Sequence, residues 1–238
     1  MTRDLEFQRN DGKTIRGRMY LPEAAAAPDG KRFPLAVFAH GLGANYRELA
    51  HHGAGMAEEG ICAFLFDFCG GGAESLSDGR TEEMTVPGEC LDLETVLEGL
   101  WQLDYIDPAG TFLMGESLGG LVAALVGGKL KEKIAGLILW YSAFGMPEKV
   151  RRHFPELTAE AREEYGMLLG AGYYETAKDI DAYGEAAAFR GPVLLIHGDR
   201  DDVVPLRCSE KAVGVYDDAR LIVIEGGGHG FEDRKSVV

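Results

Sequence analysis

A serine flanked by glycines lies between an apolar segment and a helix-like segment. The motif Gly-Glu-Ser-Leu-Gly occupies residues 115–119, directly after the apolar residues 111–114 and directly before residues 120–126, which have a helix-like composition. This order predicts a sharp strand-to-helix turn with Ser117 at its apex. Glycine on both sides permits a tight, strained turn that lifts the hydroxyl out of the backbone. Ser117 is therefore predicted to be an exposed nucleophile.

Composition and charge indicate what kind of protein this is and which partners it could bind. With 238 residues, 46% of them apolar and 26% charged, the chain has the size and composition of one globular domain. The net charge of -15 would repel phosphate backbones and anionic lipid surfaces, so we expect neither a nucleic-acid partner nor membrane binding. Neutral or cationic small molecules are the expected substrates.

The sequence gives no signal for a metal, a cofactor, a disulfide or a membrane segment. The four cysteines lack Cys-x-x-Cys spacing, and Cys62 is expected to be a buried thiol because its segment is apolar. His51 and His52 are adjacent on a predicted helix, so we expect exposed side chains and no metal site. Neither an apolar leader at the start nor an apolar stretch of about 18 residues is present, which predicts a cytoplasmic protein.

Short apolar runs alternate with helical patterns along the chain. Asn10-Asp11-Gly12 predicts a hairpin turn between strands at residues 4–8 and 15–21. Helices are predicted from Asn45, where Asn45 and Glu48 resemble a capping box, and around residues 87–103. Further strands are predicted at residues 34–39, 61–66, 111–114, 134–140, 192–197 and 220–224. Continuously apolar strands separated by helices predict an α/β fold with a mostly parallel sheet.

One long segment interrupts this alternation. Residues 143–190 separate two predicted strands and carry aromatic side chains at positions that include Phe144, Phe154, Tyr165, Tyr173, Tyr174, Tyr183 and Phe189. We interpret the segment as a lid over Ser117, inserted into a core formed by residues 1–142 and 191–238. Phe144, Tyr173 and Tyr174 are the expected substrate contacts. The alternative is an elaborated crossover whose aromatic side chains fill only its own small core.

A serine nucleophile needs a base, and the base needs a carboxylate to orient it. His229 lies in a glycine-rich loop after the last predicted strand, which makes it the candidate base, although taken alone it resembles a surface-loop histidine. The loop after residues 193–196 offers three carboxylates. We expect Asp201 to orient His229, with Asp202 second, whereas Asp199 is expected to form the turn. His197 is expected to be a buried residue at the strand end.

An acyl-transfer site also needs two main-chain donors for the developing oxyanion. The N–H of Leu118 comes with the turn that contains Ser117. We expect the second donor to be the N–H of Leu42, because His40-Gly41-Leu42-Gly43 follows a strand and its glycines let the backbone turn inward. His40 itself is expected to brace this loop.

Four sequence elements together resemble the α/β-hydrolase superfamily, and more narrowly the bacterial feruloyl and cinnamoyl esterases. They are His40-Gly41-Leu42-Gly43, the turn around Ser117, residues 197–205 and Gly228-His229-Gly230. The resemblance implies an eight-stranded, mostly parallel sheet with helices on its faces, a lid after the sixth strand, and cofactor-free hydrolysis of carboxylic esters. It supports Ser117, Asp201 and His229 as the catalytic triad, with Leu42 and Leu118 as oxyanion donors.

Other functions fit the same residues. A lipid or monoacylglycerol hydrolase, or a peptidase, would use the same triad, and a non-catalytic ligand-binding protein could share the fold. Only nine residues follow His229, whereas hydrolases of this kind usually continue into a final helix. We therefore expect either a truncated chain or an uncovered apolar sheet face that a second subunit covers in a homodimer.

Overall fold

A single mixed sheet forms the centre of the molecule in the computed structural model, which describes residues 1–26, 30–154, 162–164 and 167–231. Its order is β1-β2-β4-β3-β5-β6-β9-β10, and a separate antiparallel pair, β7 and β8, lies outside it. The strands are β1 Thr2–Gln8, β2 Thr14–Tyr20, β3 Phe33–Ala39, β4 Cys62–Phe66, β5 Ile106–Glu116, β6 Gly136–Trp140, β7 Arg162–Glu164, β8 Met167–Leu169, β9 Val193–Gly198 and β10 Ala219–Ile224.

The pairing of the strands confirms the predicted fold class. The predicted hairpin is present, with β1 antiparallel to β2 and Gln8 opposite Thr14. Strand β2 is also antiparallel to β4, and every other pair in the main sheet is parallel. The carboxyl ends of β3, β4, β5, β6, β9 and β10 therefore lie at one edge, where sites form in open α/β sheets.

Helices cover both faces of the sheet. Helix α1 packs on β2 and β4, while α3 packs on β5 and β6 and is itself covered by α2. Asn45 precedes α1 and its side chain accepts a hydrogen bond from the N–H of Arg47, which is the capping role expected of it. The helices are α1 Ala50–Glu58, α2 Val86–Leu100, α3 Ser117–Leu130, α4 Met146–His153, α5 Ala171–Ala177, α6 Ala182–Ala186 and α7 Arg207–Val213.

The central strands are buried on both faces, which explains why their sequences are almost continuously apolar. Along β3, Leu35 and Val37 belong to the larger core cluster, while Ala36 and Phe38 belong to the smaller one on the α1 side. Successive side chains of a strand point to opposite faces, so a strand covered on both sides has no polar positions to alternate with.

The long segment after the sixth strand contains α4, β7, β8, α5 and α6. The small β7-β8 sheet was not expected from the sequence. Tyr165, one of the aromatic residues of this segment, lies outside the described residues, as do residues 232–238, which follow the histidine loop. That this segment is a lid, and that the protein is a homodimer, stay predictions. Within the described ranges, no helix has the length and apolar character needed to cross a membrane.

His52 differs from the sequence expectation, because only its neighbour His51 is exposed. The His52 ring lies 4.7 Å from the Trp140 ring and 6.3 Å from the Phe38 ring, between α1 and the sheet. Burial lowers the pKa of His52 from its ordinary 6.5 to about 4, and repulsion from His51 adds to this. Adjacent helical residues lie about 100° apart, so one of the two faces the sheet.

Replacing His52 with Phe should reduce the acid sensitivity of the fold. Between pH 6.5 and about 4 the unfolded chain binds a proton at His52 that the folded chain does not. With respect to His52, the fold is therefore most stable above this pH window, where the ring is neutral in both states, and this part of the stability is lost as the pH falls through the window. We expect the stability difference between pH 7 and pH 4.5, measured by urea unfolding, to shrink by about 1–3 kcal/mol in His52→Phe. His51→Gln is the control and should behave like the wild type; an unchanged pH dependence in His52→Phe would contradict the assignment.

Candidate active site

Loops from the carboxyl edge of the sheet converge on one cavity of about 860 Å³. The loops after β3, β5, β6 and β10 contribute Leu42, Ser117, Tyr141 and His229 to its wall, and the loop after β9 contributes residues 203–205. Residues that are distant in sequence therefore meet because parallel strands end at the same edge.

Ser117 occupies a strained backbone position between β5 and α3, with φ at +49°. This is the left-handed region, which residues other than glycine seldom adopt. The glycines beside it permit close backbone contacts: a Cβ on Gly115 would overlap Gly119 and Gly120, and a Cβ on Gly119 would overlap the carbonyl groups of Ala39 and His40. The strain thus has the structural cause that the sequence predicted.

Three side chains that the sequence places far apart form one hydrogen-bonded chain. Ser117 Oγ lies 3.1 Å from His229 Nε2, and His229 Nδ1 lies 2.8 Å from Asp201 Oδ2. A carboxylate can only accept, so Nδ1 carries the proton, and Nε2 is left to accept from the serine hydroxyl. In this geometry an imidazole can accept a proton from the serine hydroxyl while the carboxylate orients the imidazole.

Asp201 is held in place by main-chain donors. Its side chain is fully buried, and Oδ1 accepts hydrogen bonds from the N–H groups of Val203 at 3.0 Å and Val204 at 2.8 Å. The other candidate carboxylates lie elsewhere: Asp199 accepts from the N–H of Gly226 at 2.6 Å, as expected for a turn residue, and Asp202 is exposed. The loop therefore presents one carboxylate to His229.

His197 is buried at the end of β9, as predicted, and it also contacts Asp201. Its Nε2 lies 2.8 Å from the carbonyl of Val204 and 3.2 Å from Asp201 Oδ2, while Nδ1 lies 2.7 Å from Ser209 Oγ. Burial lowers the pKa of His197, which favours the neutral ring. Neutral His197 therefore donates from Nε2 to the Asp201 loop and accepts from the hydroxyl of Ser209.

The loop after β3 is braced as expected. His40 Nε2 accepts a hydrogen bond from the N–H of Phe68 at 3.1 Å, so the protonated Nδ1 donates to the carbonyl of Gly41 at 2.8 Å. Leu42 and Leu118 both line the cavity. Within the described part of the chain, neither main-chain N–H is engaged in a hydrogen bond, so both are available to an incoming oxyanion.

A second polar contact, between Glu116 and Tyr141, was not found from the sequence. Glu116 Oε1 accepts from the N–H of Gly41 at 3.2 Å, and Oε2 accepts from the hydroxyl of Tyr141 at 2.6 Å. The Tyr141 ring meets the His229 ring edge-to-face, with centroids 4.7 Å apart. Glu116 and Tyr141 thus connect the loop after β3 with the histidine. The position of Tyr141 directly after a predicted parallel strand was the available signal.

Only one of the three aromatic residues expected to touch substrate lines the cavity. Tyr173 lines the cavity, whereas Phe144 and Tyr174 are each 1% exposed and do not. The Phe144 ring stacks on Tyr183, and Tyr174 packs edge-to-face on Tyr173. Phe144 and Tyr174 therefore support the rings of Tyr183 and Tyr173, which form the wall; Tyr183 is the wall residue that the expected contacts omitted.

The residues present offer no evident metal centre. Across the described ranges, no group of three or more His, Cys, Asp or Glu side chains is arranged to hold a metal ion. The cysteines are free thiols, with Cys62 buried as expected and the pKa of its thiol raised to about 12 by burial. The polar side chains on the cavity wall include those of Ser117 and His229.

A family model described as serine aminopeptidase, S33, matches residues 31–170, which is more than half of the chain. The chain belongs to this hydrolase family. The hydrolase is also 28% identical over 228 residues to Rv2307c of Mycobacterium tuberculosis, a match covering 95% of the chain and 72% of that protein. It is 27% identical over 237 residues to YfhR of Escherichia coli K12, covering 97% and 75% respectively.

Solved structures agree on the fold. Est1E from Butyrivibrio proteoclasticus with ferulic acid bound matches with a TM-score of 0.85 and 24% identity, over 95% of this chain and 91% of that one. The esterase domain of a Rhodothermus marinus protein matches with a TM-score of 0.71 and 17% identity, over 98% and 91%. At these identities the likeness establishes that the hydrolase has the α/β-hydrolase fold.

The close approach at Gly119 predicts different effects for two Gly→Ala substitutions. In Gly119→Ala the new Cβ would overlap the main-chain carbonyls of Ala39 and His40, at the end of β3, which cannot move aside. We therefore expect a loss of about 1–3 kcal/mol in unfolding free energy. Gly55→Ala is the matched control, since it lies in α1 with open space around its Cβ, and it should gain about 0.5–1 kcal/mol. Urea denaturation measures both; equal effects would show that β3 and α3 are not packed this closely.

Proposed function

We propose that this hydrolase is a serine carboxylesterase that acts through an acyl-enzyme. The observation that carries the proposal is the hydrogen-bonded chain from Asp201 through His229 to Ser117, which opens onto the cavity. A hydroxyl is a weak nucleophile near neutral pH, and an oriented imidazole is the group that removes its proton. The available N–H groups of Leu42 and Leu118 on the same cavity wall further support the proposal.

The proposed reaction has two steps. His229 Nε2 takes the Ser117 proton while Oγ attacks the ester carbonyl, and the N–H groups of Leu42 and Leu118 stabilise the oxyanion. His229 then gives the proton to the leaving alcohol, and an acyl-serine remains. A water molecule, deprotonated by the same imidazole, releases the acid and restores Ser117. Because the base must be neutral, activity should decline in acid.

Hydroxycinnamoyl-type or other aromatic esters are the proposed substrates. The cavity wall contains Tyr141, Tyr173 and Tyr183, which give it an aromatic surface against which a flat aryl group could pack. Est1E, whose fold is similar, has been solved with ferulic acid bound. A small or aromatic acyl group is thus favoured over a long acyl chain.

A second candidate is an aminopeptidase, because the matched family model carries that description. An aminopeptidase needs a carboxylate for the substrate ammonium group. Among the described residues, the carboxylates on the cavity wall already have donors: Glu48 accepts from Asn45, Glu116 from Gly41 and Tyr141, and Glu148 from Arg152. These hydrogen bonds leave each carboxylate negative, but the same wall carries four cations, Lys149, Arg152, Arg207 and Lys211, which would repel an ammonium group, and this favours the esterase. A lipid hydrolase or a non-catalytic ligand-binding protein remains an outcome of the experiments below.

Ser117→Ala should abolish most of the esterase activity. We expect kcat for 4-nitrophenyl butyrate to fall on the order of 10⁴ to 10⁶-fold, with residual rate from binding and the oxyanion donors. Ser142→Ala is the control, since it removes a buried hydroxyl that has no hydrogen-bond partner in the described chain, and it should keep near-wild-type activity and labelling.

A fluorophosphonate probe gives the second readout. The wild type and Ser142→Ala should be labelled, and Ser117→Ala should not. Unchanged ester turnover in Ser117→Ala would sink the proposal, and an unlabelled, inactive wild type would favour a ligand-binding role. Faster turnover of leucine 4-nitroanilide than of 4-nitrophenyl butyrate would favour the aminopeptidase instead.

The aromatic wall predicts a substrate preference. We expect a higher kcat/KM for methyl ferulate than for methyl decanoate, and Tyr173→Leu should lower the ferulate value by roughly tenfold at most, because an aromatic pair contributes about 0.5–1.5 kcal/mol. Methyl butyrate is the control and should respond less, since it has no ring to place against Tyr173. Faster cleavage of the decanoate would reject the aromatic preference and favour a lipid hydrolase.

A further inference from the structure

Basic side chains gather at the mouth of the cavity, in contrast to the charge of the whole chain. The net charge is -15, yet the cavity wall includes four cationic residues, Lys149, Arg152, Arg207 and Lys211. They come from two separate elements, because the first pair lies on α4 and the second on α7. Two helices therefore bring positive charge to the same opening.

The basic residues of α4 lie in two different environments. Arg151 does not line the cavity and instead donates to the main-chain carbonyls of Lys178 and Ile180. Lys149 and Arg152, three residues apart, share the side of the helix that faces the cavity. On α4, the positive charge at the mouth therefore comes from Lys149 and Arg152, which face the cavity, and not from Arg151.

Among the described residues, only one of these four cations forms an ion pair with a carboxylate. Arg152 is paired with Glu148 at 2.6 Å, and the other two wall carboxylates, those of Glu48 and Glu116, accept from neutral donors. Within the described residues, Lys149, Arg207 and Lys211 have no carboxylate within ion-pair distance.

The two cations on α7 are also spaced unfavourably for the isolated protein. Arg207 and Lys211 are four residues apart, a spacing at which like charges repel on a helix. Lys211 Nζ lies 3.9 Å from the centre of the Tyr183 ring, which holds the ammonium group over the cavity wall. An anion bound between α4 and α7 would relieve this repulsion and gain charge-assisted hydrogen bonds.

We propose that the ester substrate carries an anionic group, a carboxylate or a phosphate remote from the scissile carbonyl, which Lys149, Arg207 and Lys211 bind at the cavity mouth. This inference rests on the proposed esterase function and adds a charge requirement to it. It also reverses the expectation from net charge that neutral or cationic substrates are preferred, because the charge near a bound ligand outweighs distant charges that salt screens.

Two matched pairs of esters test the inference. 4-Nitrophenyl hexanoate and mono-4-nitrophenyl adipate differ on the acyl side, since a carboxylate replaces the terminal methyl group. The methyl ester of 4-acetoxybenzoate and 4-acetoxybenzoate itself differ on the alcohol side. We expect the anionic member of at least one pair to have a kcat/KM about tenfold higher, after subtraction of the spontaneous rate, and this ratio to fall as the salt concentration rises.

Substitution of the three cations identifies their contribution. In the triple variant Lys149→Gln, Arg207→Gln, Lys211→Gln the ratio of anionic to neutral kcat/KM should fall about tenfold. The control, Lys31→Gln, Lys133→Gln, Arg220→Gln, removes the same charge from exposed residues that do not line the cavity, and its ratio should match the wild type.

The possible results separate this inference from the proposed function. Turnover of the neutral esters with no anionic preference in either pair would overturn the inference and leave the esterase standing. A preference that responds neither to salt nor to the triple variant would also overturn it. If the triple variant does not fold, the salt dependence of the wild-type ratio decides. Failure to hydrolyse any of the four esters would reject the esterase, and this inference with it.

Discussion

The close packing of the glycines around Ser117 against the end of β3 is the constraint on which the site depends. Gly119 approaches the carbonyls of Ala39 and His40 so closely that a Cβ could not be accommodated. This contact brings the start of α3 against the loop that carries Leu42, and so places Ser117 and the N–H groups of Leu42 and Leu118 on one cavity wall. A looser turn would separate the nucleophile from the groups that are proposed to stabilise its product.

Backbone strain is concentrated at the same place. Of the four described non-glycine residues with positive φ, three are Ser117, Tyr141 and Phe231, and all three lie around His229. A non-glycine residue with positive φ costs free energy, and it persists only where the surrounding structure holds it in that conformation. Here the Tyr141 ring packs on both His229 and Phe231, while its hydroxyl bonds to Glu116. The histidine loop is therefore held by the strained end of β6 as well as by Asp201.

The sequence was informative where one local pattern determines the structure. Continuous apolar runs located the strands, the glycines located the turn at Ser117, and the predicted strand at residues 192–197 indicated that His197, at its end, is buried. The sequence was less informative where two neighbouring residues of the same type differ only in their tertiary contacts. Adjacent histidines on α1 gave no indication that His52 alone would lie against Trp140. Likewise, aromatic composition could not distinguish Tyr173, on the cavity wall, from Tyr174, which packs behind it. The contact between Glu116 and Gly41 joins two loops, and no sequence periodicity encodes it.

The net charge of the chain likewise does not predict the charge at one position on its surface. A net charge of -15 describes the field far from the molecule, where it would slow the approach of an anion. Beyond about 8–10 Å at physiological salt this field is screened, and a ligand in the cavity mouth responds instead to Lys149, Arg207 and Lys211. The charge that governs association and the charge that governs binding can therefore differ in sign. For an anionic ester at or above physiological salt, the long-range repulsion is therefore already screened, and added salt mainly weakens the contacts at the mouth.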